Sequence, residues 1–168
     1  LILYTCSKRF AMTGWRLGIA VAPTNLIGAM NRMQGQVTTN PASMVQAGGI
    51  AALSQPDDFL TTWLAAFDAR RRTMVDRLNL MDGVFCTMPK GAFYAFPDFR
   101  GVLGKRAGDK VMETDWDLID YLLDSVGVAL VPGTPFGAPG FARLSYATSM
   151  DNILDGMNRI QKALSRLE

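Results

Sequence analysis

Histidine is absent from this sequence and cysteine nearly so. Without an imidazole, histidine-based triads and histidine metal sites are excluded. Cys6 and Cys86 cannot build a disulfide scaffold, and they fit a reducing compartment such as the cytoplasm. Charge is also sparse. Charged side chains make up 19% of the chain and the net charge is +2, which gives no electrostatic case for a nucleic acid or an acidic membrane partner. No apolar run reaches the roughly 18 residues of a membrane span, and neither internal repeats nor low-complexity segments occur. Apolar residues do occur, at 49% of 168. That is enough for one globular domain, or for one domain and a piece of another.

One stretch organises the rest: Ser7-Lys8-Arg9-Phe10-Ala11-Met12-Thr13-Gly14-Trp15-Arg16-Leu17-Gly18. A strand ending at Thr5 would present Lys8 on a loop at a sheet edge, where open α/β folds bind ligands. Gly14 and Gly18 allow sharp turns around whatever Lys8 and Arg16 hold. A lysine amine condenses with a carbonyl only when it is deprotonated, and burial or neighbouring cations favour that state. Arg16 offers a planar, permanently charged fork suited to a phosphate dianion. The hydroxyls of Thr5 and Ser7 lie on the same approach, although Ser7 reads equally well as a turn-capping serine. Taken alone, Lys8 would be a solvated charge. The string S-K-R-F-A-M-T-G-W-R-L-G, however, resembles the cofactor-lysine segment of the fold-type I pyridoxal-phosphate aminotransferases, class I and II.

Periodicity orders the remainder. Residues 17–22 form a short apolar run closed by Pro23, a strand able to pair antiparallel with the first. Residues 25–37 carry a helical period with Thr24 as N-cap, and Asn40-Pro41 breaks it. A helix rich in small residues follows through Ala52 and suggests close packing. The longest helix spans about 56–81, with acids at its start and Arg70-Arg71-Arg72 in its second half, as the helix dipole favours. Those arginines read as a solvated face rather than an anion patch. Strands are then expected over 84–87 and 91–96, with Phe93 and Tyr94 as core rather than ligand contacts. Residues 100–113 read as a loop or lid edge and 115–125 as an amphipathic helix. Residues 128–131 read as a buried strand, 141–147 as another, and 150–167 as a closing helix. Arg143, an arginine among apolar strand residues, must be paired in a salt bridge or directed at a ligand, because an unpaired buried charge is very costly.

Two further strings extend the resemblance: P-K-G-A-F-Y-A-F-P-D, similar to a small-domain strand at the substrate entrance, and R-L-S-Y-A after a Gly/Pro loop, similar to the substrate-arginine segment. The resemblance implies an α/β fold, with part of the fold-type I large domain at 1–55 and a linking helix and C-terminal small α+β domain at 56–168. It implies that Lys8 carries pyridoxal 5'-phosphate and shuttles a proton, that Thr5, Ser7 and Arg16 hold the phosphate, and that Arg143 grips the substrate α-carboxylate. Asn40 resembles a segment that meets a neighbouring subunit's site, which implies a homodimer. The substrates would be an amino acid and a 2-oxo acid, of aspartate type by overall resemblance to the bacterial aspartate-aminotransferase branch. Gly35 stands where one branch has a side-chain-reading arginine, so that route to dicarboxylate specificity is absent.

A lone strand at 1–4 is no sheet, and with the resemblance it suggests the C-terminal portion of a longer polypeptide. The family's partners of the pyridine ring would lie upstream, and the 168 residues alone are expected to be inactive. A pyridoxal-phosphate lyase on the same scaffold, or the aminotransferase-like domain of a transcription regulator, are the alternatives.

Overall fold

The apolar run at the start becomes strand β1 (Ile2–Thr5), which pairs antiparallel with β2 (Gly18–Val21) in the register Ile2↔Val21 to Thr5↔Gly18. The computed structural model describes all 168 residues, and they divide into two compact units, Leu1–Thr61 and Thr62–Glu168.

In the first unit the segment joining the two strands is not the open loop expected at Lys8. It forms a one-turn helix, α1 (Cys6–Arg9), and then a 3-10 turn over Thr13–Trp15. The reason is local: Thr5 occupies the N-cap position, and its side chain accepts a hydrogen bond from the Ser7 amide, which closes the turn. Helix α2 (Thr24–Val37) begins at Thr24 itself. The cap position falls to Pro23, which makes no side-chain cap bond, so the expected threonine cap is corrected. Helix α3 (Ser43–Ser54) uses its small residues as expected. A Cβ on Gly48 would lie 2.6 Å from the Trp15 ring and one on Gly49 2.4 Å from Leu17, so these glycines let the helix lie directly against the Trp15 and Leu17 side chains. The buried residues here are Cys6, Met12, Leu17 and Gly49.

Helix α4 (Asp58–Asn79) contains the division between the units. Its triple arginine is engaged locally: Arg71 and Arg72 pair with Asp68, Arg71 also donates to the Pro89 carbonyl, and Arg70 lies over the Phe67 ring. The second unit holds a three-stranded antiparallel sheet of β3 (Tyr94–Ala95), β6 (Val131–Pro132) and β7 (Ala142–Ser145), with β7 in the centre. These strands are shorter than the sequence suggests. Over 84–87 the Asn79 side chain occupies both the Cys86 amide (2.7 Å) and its carbonyl (3.0 Å), leaving a single bridge between Phe85 and Asp98. At 128–131 the Val128 amide turns back to the Leu122 carbonyl, behind Gly127 at φ 67. That is a helix-terminating motif, so of the strand expected at 128–131 only Val131 is left, in β6.

Residues 100–113 are no loose lid. They contain the hairpin of β4 (Arg106–Ala107) and β5 (Lys110–Val111), with Val102 and Met112 buried beneath it. Arg106 and Glu168 exchange backbone hydrogen bonds at 2.9 and 3.0 Å. Helix α5 (Asp115–Val126) starts in a capping box of Thr114 and Asp117, and α6 (Met150–Leu164) starts at a Ser149 cap. Leu78, Leu118, Leu122, Tyr146 and Ile160 close the core around the sheet. On α5, the apolar Trp116 and Leu123 are about half exposed. No helix is long and apolar enough to cross a membrane.

Candidate active site

Strand β1 delivers Thr5 to the start of α1, and the helical turn then places Ser7 and Lys8 in immediate succession. The Thr5 and Ser7 hydroxyls lie 2.9 Å apart, and Thr5 Oγ1 also accepts from the Ser7 amide at 3.2 Å. Thr13 ties the far side of the segment to this pair. Its hydroxyl donates to the Ser7 carbonyl at 3.1 Å, and its own carbonyl accepts from Arg16 Nη1 at 3.3 Å. Thr5, Ser7 and Arg16 are therefore parts of one hydrogen-bonded segment. Lys8 is exposed, so these residues do not supply the burial expected around it. The next residue, Arg9, is paired with Asp57; the Asp57 hydrogen bond and charge push its already high pKa higher.

Arg16 adopts φ 54 and ψ 43, the left-handed region, which costs about 1–2 kcal/mol for a residue with a Cβ. Glycine would relieve that strain. Apart from the single bond to Thr13, its donors are available to a ligand. Arg16 lines a cleft of about 750 Å³ together with Tyr4, Met30, Gln34 and Pro41. Two hydroxyls and a guanidinium form a donor set suited to a phosphate, so the residues present fit the phosphate end of pyridoxal phosphate. Asn40 adjoins this cleft through Pro41. It is exposed between Thr39, whose carbonyl accepts from Gln34 at 3.1 Å, and Pro41, whose carbonyl accepts from Gln46 at 2.8 Å.

Arg143 belongs to the second unit, on the central strand β7. It is half-buried, and the ion pairs of the chain join other residues. What holds it is aromatic: its guanidinium carbon lies 4.6 Å from the Tyr94 ring centroid and 4.8 Å from that of Phe136. Both distances are well inside cation–π range. Tyr94 therefore belongs to the surroundings of Arg143 rather than to the closed core, a correction to the sequence reading. Its neighbour Phe93 is half-buried.

Sequence reasoning missed Asp115. It is the one buried charged residue, 2% exposed. Its carboxylate accepts from the Thr134 amide at 2.8 Å and the Thr134 hydroxyl at 2.7 Å. Burial pushes its pKa up, but the bonds from Thr134, with further amides, outweigh that and hold it below the usual carboxylate range. In sequence it is one acid among several at a helix start. Its partner lies 19 residues away, so no local pattern reveals it.

Residues 1–160 match the aminotransferase class I and II family, and the chain belongs to it. In particular, it is 46% identical over 162 residues to an aspartate aminotransferase of Rhizobium meliloti (strain 1021), an alignment covering 96% of this chain and 40% of that relative. It is 43% identical over 157 residues to a probable aspartate/prephenate aminotransferase of Rhizobium leguminosarum bv. phaseoli, covering 93% of this chain and 39% of the relative. The crystal structure of the aspartate aminotransferase from Rhizobium meliloti superposes with a TM-score of 0.96 at 44% identity, over 99% of this chain and 42% of that one. The fold is thus the α/β fold of these enzymes, and the chain spans about two fifths of the length of the relatives it matches.

Proposed function

We propose that this protein is an aminotransferase that moves an amino group between an amino acid and a 2-oxo acid, with aspartate as the first donor to test. The observation that carries the reading is the Thr5–Ser7–Lys8 turn tied through Thr13 to Arg16, within a chain of this family. The names of the similar proteins support aspartate as substrate. Thr5, Ser7 and Arg16 would hold the phosphate of pyridoxal 5'-phosphate, and the Lys8 amine would hold its carbonyl end. When bound, the cofactor supplies an electron sink for charge developing at the substrate Cα. Displaced by the substrate's own amine, the freed Lys8 amine takes the proton from Cα and returns it on the other side of the exchange. Arg143 binds the α-carboxylate through paired N–H donors and so orients the Cα–H bond. Asn40, on its exposed link, serves a neighbouring subunit in a homodimer. A reducing, cytoplasmic setting agrees with the free thiols of Cys6 and Cys86.

The test is amino transfer from aspartate to 2-oxoglutarate by the complete polypeptide. Lys8→Ala is expected to abolish turnover, while Arg143→Ala raises KM for amino acids with a smaller effect on kcat. Turnover retained in Lys8→Ala would overturn the assignment. Formation of pyruvate from a β-substituted amino acid without a 2-oxo acid acceptor would mean a lyase instead.

A further inference from the structure

The guanidinium of Arg143 is held by rings, and the two rings are held in different ways. Tyr94 sits in β3 opposite Ser145, so the sheet fixes it. Phe136 has no strand to hold it. It is 51% exposed and ends the 3-10 turn Thr134–Phe136, within a loop of glycines and prolines. A side chain so placed would ordinarily wander. Here the turn is pinned at its first residue, where the Asp115 carboxylate takes both the amide and the hydroxyl of Thr134.

The turn is also closed on itself. Phe136 N donates to the Gly133 carbonyl at 2.8 Å, and Gly133 N donates to the Phe141 carbonyl at 2.8 Å. A Cβ on Gly133 would lie 2.3 Å from the Ala138 carbonyl oxygen, so the loop is too tightly packed there for any residue but glycine. The Phe96 ring meets Phe136 edge-on, at a centroid distance of 6.2 Å. Helix α5 does not need Asp115 for its own cap, since Thr114 and Asp117 already form the capping box. Burying a carboxylate is costly unless its bonds are satisfied, and the bonds of this one are directed at the turn that carries Phe136.

We propose that Asp115 and Phe136 are positioning residues for substrate recognition: Asp115 fixes the Thr134–Phe136 turn, and the turn lays the Phe136 ring against Arg143 so that its fork is preset for a carboxylate. This rests on Arg143 being the carboxylate-binding residue. A free arginine loses substantial rotamer freedom when it grips a ligand. One already held over Tyr94 and Phe136 has lost much of it beforehand.

The experiment compares variants of the complete polypeptide by steady-state kinetics and by NMR of the Arg143 guanidinium. Phe136→Leu should raise KM for amino acids roughly 2- to 30-fold, the range a cation–π contact supplies, with kcat little changed. Phe136→Tyr should restore it. Asp115→Asn should raise KM in the same direction, yet add little once Phe136 is leucine, because both act through one ring. Both variants should shift the Arg143 guanidinium resonances toward those of a free arginine, with or without cofactor. An unchanged KM and unchanged resonances in Phe136→Leu, while Arg143→Ala still raises KM, would overturn the positioning role alone. Fully additive effects of Asp115→Asn and Phe136→Leu would overturn the link to Asp115. An unchanged KM in Arg143→Ala would overturn the underlying assignment of Arg143.

Discussion

Leu122 and Ile160 in the second unit are fully sealed from water, whereas Leu3, Met33 and Ile50 in the first are 71%, 71% and 68% exposed. The two units draw on the same kinds of residue and both form regular helices and strands. They differ in whether an apolar face finds a second face to meet. In Thr62–Glu168 the three-stranded sheet lies against a core supplied by α4, α5 and α6. In Leu1–Thr61 a two-stranded sheet and α2, which buries none of its residues, leave only Cys6, Met12, Leu17 and Gly49 buried. A two-stranded sheet is marginal alone in water, and exposed apolar area of this extent marks a surface meant for contact. Short-range pattern is sufficient for local structure, whereas burial needs opposing surfaces.

The contrast is open to direct attack. The largest effect is expected in the second core: Leu122→Ala or Ile160→Ala should destabilise the 168-residue chain by about 2–5 kcal/mol. Met33→Ala and Ile50→Ala should change stability by no more than about 0.5 kcal/mol. Urea denaturation measures both sets, and similar losses would abolish the distinction between the units. A second pair compares glycines. Gly83 has φ 76, and a Cβ there would lie 2.6 Å from the Gly101 carbonyl oxygen. Gly83→Ala therefore meets rigid backbone and should cost at least about 2 kcal/mol. Gly48→Ala meets the half-exposed Trp15 ring, which can swing aside, and the helix gains about 1 kcal/mol in propensity. The net change should be within about 1 kcal/mol, accompanied by a shift in Trp15 fluorescence.

The smallest effect is one of pH. Asp115, Asp98 and Asp117 are all held below the ordinary carboxylate range: Asp98 by its hydrogen bonds from Arg100, Asp117 by those from Thr114, and Asp115 by those from Thr134 against its burial. A carboxyl whose folded pKa is depressed contributes stability above its unfolded value, about 3.9, and loses it as pH falls through the folded value. The second unit should therefore lose stability on acidification below about pH 4. In Asp115→Asn that slope should be shallower.

Much of this was legible because it is local. The antiparallel pairing across the lysine segment follows from two apolar runs around Ser7–Leu17, and the helices follow from their periods. The Lys8 string pointed to its chemistry because lysine, arginine and hydroxyls fall within a dozen residues. What stayed hidden depends on distant partners. Asn79 replaces a strand at Cys86, Glu168 anchors the hairpin at Arg106, and Asp115 reaches Thr134. The aromatic setting of Arg143 joins β3, β7 and a turn that periodicity does not connect.

The most direct test of the account is to incubate the complete polypeptide with pyridoxal 5'-phosphate, reduce it with borohydride and map the modified peptide by mass spectrometry. One phosphopyridoxyl group is expected, on Lys8, lost in Lys8→Ala and weakened in Arg16→Ala. A label distributed over other lysines with Lys8 unmodified would contradict it.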